Sequence, residues 1–145
     1  MKKQRLIVTA DLLEDTTLLG VTTALRPHQF AWLINKCTSL QLIRVADLCF
    51  EGPRHTNNCA TRFLLATEHC TYRLLKNRGG TEDGEITNYL VPSLKHIDFF
   101  FSVQDFTQTF DIARFCDVLK ATGRITYTIH LDLRVYKDKM HFFFH

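Results

Sequence analysis

The chain has 145 residues, of which 46% are hydrophobic, and it carries 18 Lys+Arg against 15 Asp+Glu. This length and composition predict a single domain over residues 1–145 and exclude disordered, collagen-like and coiled-coil proteins. The net charge of +3 is too small to indicate nucleic acid or an anionic membrane as a partner.

The chain before residue 52 predicts strands around one helix. Apolar and β-branched residues alternate along residues 3–10, which predicts a strand. Residues 18–25 are ambiguous between helix and strand. Pro27 suits the first turn of a helix in which apolar side chains repeat at helical spacing as far as Cys37. Residues 41–51 then predict a second strand, closed by a Gly-Pro pair.

The middle of the chain predicts further strands and one exposed connection. Residues 60–69 and 70–77 form either a hairpin or one long bent strand. Residues 78–85 hold three of the six glycines and almost no apolar side chain, which is typical of an exposed loop. Residues 86–91 predict a short strand. Residues 96–103 carry apolar side chains on both faces, which indicates a strand that is covered on both sides.

The last third of the chain predicts a second helix and two strands. The helix covers residues 107–122, with Thr107 or Thr109 as its cap. Residues 124–135 alternate as a strand does, and residues 140–144 form a short final strand. The fold class is therefore α+β, with a mostly antiparallel sheet of about five to seven strands and two main helices packed on one face.

The expected location is the cytoplasm. No apolar run approaches the 18 residues that a membrane helix requires, so no membrane partner is expected. The run that follows the basic N-terminus is too short for a signal peptide. Five cysteines without a Cys-x-x-Cys pair favour reduced, mostly buried thiols over a disulfide scaffold. They are Cys37, Cys49, Cys59, Cys70 and Cys116.

Several stretches along the chain form a recognisable set. They are Val-Pro-Ser-Leu-Lys-His-Ile-Asp-Phe at residues 91–99, residues 18–23, 30–35 and 75–77, and Arg44 with Asp47 and Leu48. In this order they resemble the recurrent stretches of the bacterial family named for its IPExxxVDY motif, over most of the chain. The chain departs from that motif at Ser93, where the family has Glu. Because the family is uncharacterised, the resemblance implies no particular chemistry.

The motif residues are expected to have a structural or binding role. Those residues are Val91, Pro92, Ile97, Asp98 and Phe99. Pro92 disfavours helix at the residue before it, so it ends one strand and sets the angle into the next. Asp98 lies among apolar neighbours, where a buried carboxylate needs backbone donors or a cation such as Arg44 or Arg73. We expect an anchoring role for Asp98 rather than a catalytic one.

No catalytic constellation stands out in the sequence. It contains no glycine-rich phosphate loop, no paired metal-ligand spacing and no nucleophile turn, so we predict no catalytic residue, metal or cofactor. Residues 71–78 interleave basic and aromatic side chains, a pattern that a single-stranded RNA platform uses. Basic side chains beside a hairpin loop are the alternative explanation.

Phenylalanine is the most unusual feature of the composition, with 12 residues, six of them in two triplets. The first triplet is residues 99–101, and the second is Phe142, Phe143 and Phe144. Both triplets fall on predicted strands, so both strands are expected to be buried on two faces. Since a chain end frays unless it is tied down, the final strand is expected to be inserted into the sheet or buried against a partner. Core packing is the favoured explanation, and a homodimer interface or a ligand groove is the alternative. Of the two triplets, the second is the candidate contact with another subunit.

Three functional hypotheses follow. The first is a non-catalytic interaction module that associates with itself as a homodimer, because apolar strand surface is plentiful. The second is a small-molecule-binding protein or enzyme with an apolar pocket between sheet and helices, in which Phe side chains are joined by Asp98, His96 and Arg44. The third is RNA binding along residues 72–78. The sequence identifies neither a ligand nor a substrate.

Overall fold

The computed structural model describes residues 15–81 and 87–139. Within these ranges two helices accompany eight strands, which form one antiparallel sheet curled into a half-barrel. The helices are α1 (Pro27–Cys37) and α2 (Ile112–Ala121). The strands are β1 (Thr16–Thr22), β2 (Ile43–Glu51), β3 (Asn57–Ala66), β4 (Cys70–Lys76), β5 (Arg78–Gly80), β6 (Thr87–Tyr89), β7 (Phe99–Asp105) and β8 (Tyr127–Leu131). The predicted α+β class is confirmed.

The sheet has a long path with a short side branch. Its main order is β2-β3-β4-β7-β1-β8, and β5 and β6 continue from the first half of β3. Residues 60–69 and 70–77, for which the sequence allows a hairpin or one long bent strand, form a hairpin, since β3 and β4 pair directly. The loop prediction for residues 78–85 is wrong at its start, because residues 78–80 pair with β3 and β6. Residues 82–86 lie outside the described ranges.

Both helices pack on the same face of the sheet, as the sequence predicts. Phe30 of α1 lies against Phe99 of β7, with ring centroids 4.9 Å apart. Phe115 of α2 stacks on Phe101 at 4.5 Å. Pro27 begins α1, and the Gln29 side chain accepts a hydrogen bond from the backbone N–H of Arg26, the residue that precedes the helix. Apolar side chains at helical spacing therefore attach both helices to the middle of the sheet.

The opposite face of the sheet has its own apolar cluster, around Leu18, Leu75 and Phe100. Consecutive side chains of a strand point to opposite faces, so Phe100 enters this cluster while Phe99 and Phe101 enter the helix-side core. All three are at most 1% exposed. The prediction that the first Phe triplet is buried on both faces is confirmed.

The ends of several elements differ from the sequence predictions. Residues 18–25 resolve as the strand Thr16–Thr22, and α2 begins five residues later than predicted. The predicted strand over residues 124–135 ends at Leu131, and a 3₁₀ turn covers Leu133–Lys139. The predicted strands over residues 3–10 and 140–144 lie outside the described residues, and so do Phe142, Phe143 and Phe144. None of the helices in the described ranges is long and apolar enough to cross a membrane.

Candidate functional site

Residues 91–99, the stretch that resembles the family motif, fold around the side chain of Asn77. Its amide nitrogen donates to the carbonyls of Leu94 and Ile97, both at 2.9 Å. Its amide oxygen accepts the N–H of Val91, also at 2.9 Å. Asn77 is 0% exposed, and its bonds to Ile97 and Val91 are buried. This single side chain fixes the path between β6 and β7.

The motif residues divide into a buried set and an exposed turn. Val91, Ile97 and Phe99 are buried in the two cores. Pro92 is exposed and begins a 3₁₀ turn that ends at Leu94, between β6 and β7. The segment is thus a covered connection whose apolar side chains face inward, and its shape comes from backbone hydrogen bonds to Asn77.

Asp98 is a half-buried anchor between β7 and β1. Its carboxylate accepts the N–H of Thr23 at 2.9 Å, and its own N–H donates to the carbonyl of Val21 at 2.8 Å. Lys76 lies nearby: burial lowers the pKa of its ammonium group, and the charge of Asp98 acts in the opposite direction. Asp98 therefore provides a hydrogen-bond acceptor for the backbone N–H that follows the end of β1. This structural role needs no substrate.

The arginines suggested as partners for Asp98 lie elsewhere, so that part of the prediction is wrong. Arg44 pairs with Asp47 at 3.2 Å on the edge strand β2. Arg73 donates to Gln104 at 3.3 Å on the face opposite the helices. The cation near Asp98 is Lys76.

His96 is exposed and stacks on Tyr127 of β8, with ring centroids 6.2 Å apart. Arg44 lies at the other edge of the sheet, on β2. The pocket predicted from Asp98, His96 and Arg44 is therefore not assembled. The strand order, which the sequence pattern does not contain, separates these three residues.

A cleft does lie on the helix side of the sheet, between the end of α1 and the first half of α2. Its volume is about 440 Å³. The floor is aromatic: Phe110 lies 5.5 Å from Tyr72 and 5.6 Å from Phe115, measured between ring centroids. Cys37 and Leu40 line the α1 side, and Arg114 lines the α2 side. The cleft thus lies between sheet and helices, and it joins two Phe side chains to polar residues that the sequence did not suggest for a pocket.

Asp105 holds the loop that carries Phe110 into this cleft. Its carboxylate accepts the Thr107 hydroxyl at 2.6 Å and the backbone N–H groups of Thr107, Thr109 and Phe110 at 2.7 to 3.0 Å. Burial acts to raise the pKa of Asp105, but these hydrogen bonds, with one from Cys70, outweigh it and hold the pKa well below its usual range. The loop is therefore organised around a carboxylate that is negatively charged at neutral pH.

The Tyr72 hydroxyl at the cleft floor stays protonated. Burial raises its pKa, and its hydrogen bond with Cys70 raises it further. Burial also raises the pKa of the Cys70 thiol, as does its hydrogen bond to Asp105. Neither group is an activated nucleophile or base at neutral pH, since both are held in the protonated form.

Strand β8 forms one edge of the sheet and exposes apolar side chains. Among the described residues it pairs only with β1. Tyr127 is 36% exposed and Ile129 is 40% exposed. Ile129 lies opposite Gly20, where a Cβ atom would come within 3.2 Å of Ile129 and 2.9 Å of Ile97. The missing side chain at Gly20 lets Ile129 and Ile97 cover β1 together.

The basic and aromatic strand considered for RNA is not a surface platform. Residues 70–76 form β4, which lies between β3 and β7 within the sheet. The ring of Tyr72 is buried in the helix-side core, where it lies 6.5 Å from Phe101. No stacking surface for bases remains on this strand.

The chain matches no protein-family model, no curated protein and no solved structure. Within residues 15–81 and 87–139, no group of three or more His, Cys, Asp or Glu side chains could hold a metal ion.

The sequence indicates no role for Asn77, which is named only within the resembling stretch 75–77, and it does not indicate Asp105 or Arg114. Asn77 directly follows β4 and Asp105 is the last residue of β7, and a short polar side chain at the end of a strand is a signal for a side chain that bonds the next turn. Arg114 carries no comparable signal, because its position in the cleft depends on how α1 and α2 pack.

Proposed function

We propose that this chain is a self-associating interaction module and that it dimerises through the edge of strand β8. The observation that carries the proposal is the exposure of Tyr127 and Ile129 on a strand with one neighbour among the described residues. An edge strand offers unpaired backbone donors and acceptors, and exposed apolar side chains beside them favour pairing with another strand.

The contrast with the other long edge supports this choice. Strand β2 carries Arg44, Asp47 and Glu51, and its register with β3 shifts between Val45 and Leu48. Charges and bulges of this kind protect an edge from pairing with a second chain. Strand β8 contains no Lys, Arg, Asp, Glu, Pro or Gly, and its pairing with β1 is regular. Of these two edges, β8 is the unprotected one.

A symmetric antiparallel pairing of two β8 strands is chemically consistent. With Ile129 at the twofold axis, it would face the same residue of the second copy. Thr128 would then face His130, and Tyr127 would face Leu131. These are apolar or neutral cross-strand pairs, and no like charges oppose each other. Such an interface is self-complementary, as a twofold dimer requires.

Light scattering on the full chain tests the proposal. We expect a mass near twice 16.9 kDa at high micromolar concentration. Ile129→Lys should weaken the dimer at least about tenfold, because it places two ammonium groups opposite each other at the axis.

The matched control is Ile43→Lys, which changes an exposed isoleucine on β2 and should leave the dimer intact. Circular dichroism of both variants checks that they remain folded. A wild-type chain that stays monomeric, or equal weakening by both variants, would contradict the proposal.

A second candidate function is binding of a small aromatic anion in the cleft. The aromatic floor supplies stacking surface, and the exposed Arg114 supplies a positive charge at the mouth. The nearby Asp111 carboxylate is engaged as the cap of α2, where it accepts the N–H of Arg114 at 3.0 Å. Asp111 also lines the cleft and keeps its negative charge, so Arg114 is the one cation among the described lining residues and the group that an anion would contact.

Titration with naphthalene-2-sulfonate, followed by amide chemical shifts, tests this candidate. We expect shifts to concentrate at the end of α1 and the start of α2. Arg114→Glu should weaken binding about tenfold, because it reverses the charge at the mouth. The control Arg124→Glu reverses an exposed charge that does not line the cleft. Equal effects of the two variants would contradict specific binding.

We also propose that the chain belongs to the IPExxxVDY family and works in the bacterial cytoplasm. Two of the resembling stretches, residues 75–77 and 91–99, are joined by the hydrogen bonds of Asn77, which gives their joint occurrence a structural reason. The cysteine pattern, without a Cys-x-x-Cys pair, supports a reducing compartment.

A further inference from the structure

Two cysteines meet on the edge of the sheet far from β8. Cys49 of β2 and Cys59 of β3 are direct cross-strand partners, and their sulfur atoms lie 3.0 Å apart. Cys49 is exposed and Cys59 is partly exposed, and Cys116 alone of the five is buried, so the prediction of mostly buried thiols is wrong. The exposure of Cys49 follows from its place on an edge strand.

The neighbour of Cys59 on β5 is a glycine. Cys59 pairs with Gly80 across the β3–β5 ladder. Directly paired residues present their side chains on the same face, and Gly80 has none. A small reagent would reach the pair through Cys49, which is exposed, and Cys59 is itself partly exposed.

The backbone geometry suits a covalent bond between the two sulfurs. Directly opposite residues of an antiparallel pair have Cα atoms about 4.5 to 5.5 Å apart, and disulfides form at Cα separations of about 4.4 to 6.8 Å. Since Cys49 and Cys59 are in register, the bond requires side-chain rotation but no movement of the strands.

We propose that Cys49 and Cys59 are a thiol modification site that forms a reversible disulfide by exchange with a low-molecular-weight disulfide such as glutathione disulfide. The proposal is independent of the β8 dimer and the cleft. The other three cysteines lack this arrangement: Cys116 is buried in α2, the Cys70 thiol donates to Asp105, and Cys37, although partly exposed, lies on a helix and so has no cross-strand cysteine.

The reaction balances as two exchange steps. The thiolate of the exposed Cys49 attacks one sulfur of glutathione disulfide, that S–S bond breaks, and one glutathione thiolate leaves with the electron pair. The thiolate of Cys59 then attacks the Cys49 sulfur, and the second glutathione leaves. The two cysteines lose two electrons and two protons, and one glutathione disulfide becomes two molecules of glutathione.

The bond would fasten the edge strand β2 to β3 and close residues 49–59 into a loop. That loop holds two consecutive residues other than glycine in the left-handed region, Arg54 with φ 60° and His55 with φ 59°. Closing a loop of this size restricts the unfolded chain, so the oxidised protein should melt about 5 to 10 °C higher than the reduced one.

The test is to equilibrate the folded full chain with glutathione and glutathione disulfide, alkylate the remaining thiols and digest with trypsin. Trypsin cuts after Arg44, Arg54 and Arg62, so each cysteine falls on its own peptide. We expect peptide 45–54 linked to peptide 55–62, with Cys37, Cys70 and Cys116 alkylated. Dithiothreitol should reverse the linkage and the rise in melting temperature.

Single variants separate this reaction from non-specific oxidation. Cys49→Ser and Cys59→Ser should each lose the linked peptides and the rise in melting temperature, whereas Cys37→Ser should keep both. Finding no linkage in the wild type, a persistent mixed disulfide at Cys49, or linkage to one of the other cysteines in the folded protein would overturn the proposal.

Discussion

Replacing Asn77 by leucine should lower the free energy of unfolding by about 3 to 5 kcal/mol. The substitution removes three hydrogen bonds, of which the two to Val91 and Ile97 are buried. The Leu94 carbonyl keeps the N–H of Ile97, but the N–H of Val91 and the carbonyl of Ile97 lose their partner, and each buried orphaned group costs about 1 to 3 kcal/mol. Urea unfolding, followed by circular dichroism at equilibrium, measures the change.

The control for Asn77 is Asn57→Leu, which makes the same chemical change at an exposed position of β3. It should shift stability by no more than about 0.5 kcal/mol. If Asn77→Leu falls within about 1 kcal/mol of the wild type, then Asn77 does not hold the connection between β6 and β7 as described.

Replacing Asp105 by asparagine should lower the free energy of unfolding by about 2 to 4 kcal/mol at pH 7. The carboxylate accepts bonds from the Thr107 hydroxyl, three backbone N–H groups and the Cys70 thiol, and an amide provides a single acceptor oxygen with no charge. Because Phe110 and the start of α2 depend on this loop, the variant should also loosen the cleft.

The pH dependence of the Asp105 effect has a definite sign. Folding lowers the pKa of Asp105, so its contribution is complete above the unfolded pKa of about 3.9 and is lost as the pH falls through and below that value. Urea unfolding at pH 7 and at successively lower pH should therefore show the difference between wild type and Asp105→Asn narrowing towards acid. The control Asp117→Asn, at an exposed position of α2, should differ little from the wild type throughout.

Local patterns predicted the parts of the fold that depend on neighbouring residues. Helix α1 has the bounds that Pro27 and the apolar repeat indicate, and the first Phe triplet is covered on both faces because apolar side chains alternate across β7. In each case the deciding contacts are set by the periodicity of the segment itself.

The start of α2 was not predictable in this way. Thr107 and Thr109 resemble caps, but Asp105 takes the Thr107 hydroxyl and the N–H of Thr109. Gln108 has a left-handed backbone with φ 54°, which prevents a helix from beginning there. The cap is therefore Asp111, the next residue whose side chain can reach an N–H two or three positions on.

The candidate sites depend on strand order, which periodicity does not encode. Arg44 and His96 reach opposite edges of the sheet, and Asn77 bonds residues 14 to 20 positions away. The approach of Cys49 to Cys59 likewise depends on the register of β2 against β3. Each of these contacts joins residues that are far apart in the chain. The sequence shows which residue types are present, but it does not show which of them meet in the fold.

Strand β1 places a constraint on how this chain can be synthesised and folded. It is the first described strand, yet its two neighbours in the sheet are β7 and β8, whose residues all follow residue 98. During translation both of its edges stay without those partners while more than half of the chain is made. Non-local pairing of this kind slows folding and exposes strand edges during the delay. The sheet can therefore close around β1 only after the residues of β7 and β8 have left the ribosome.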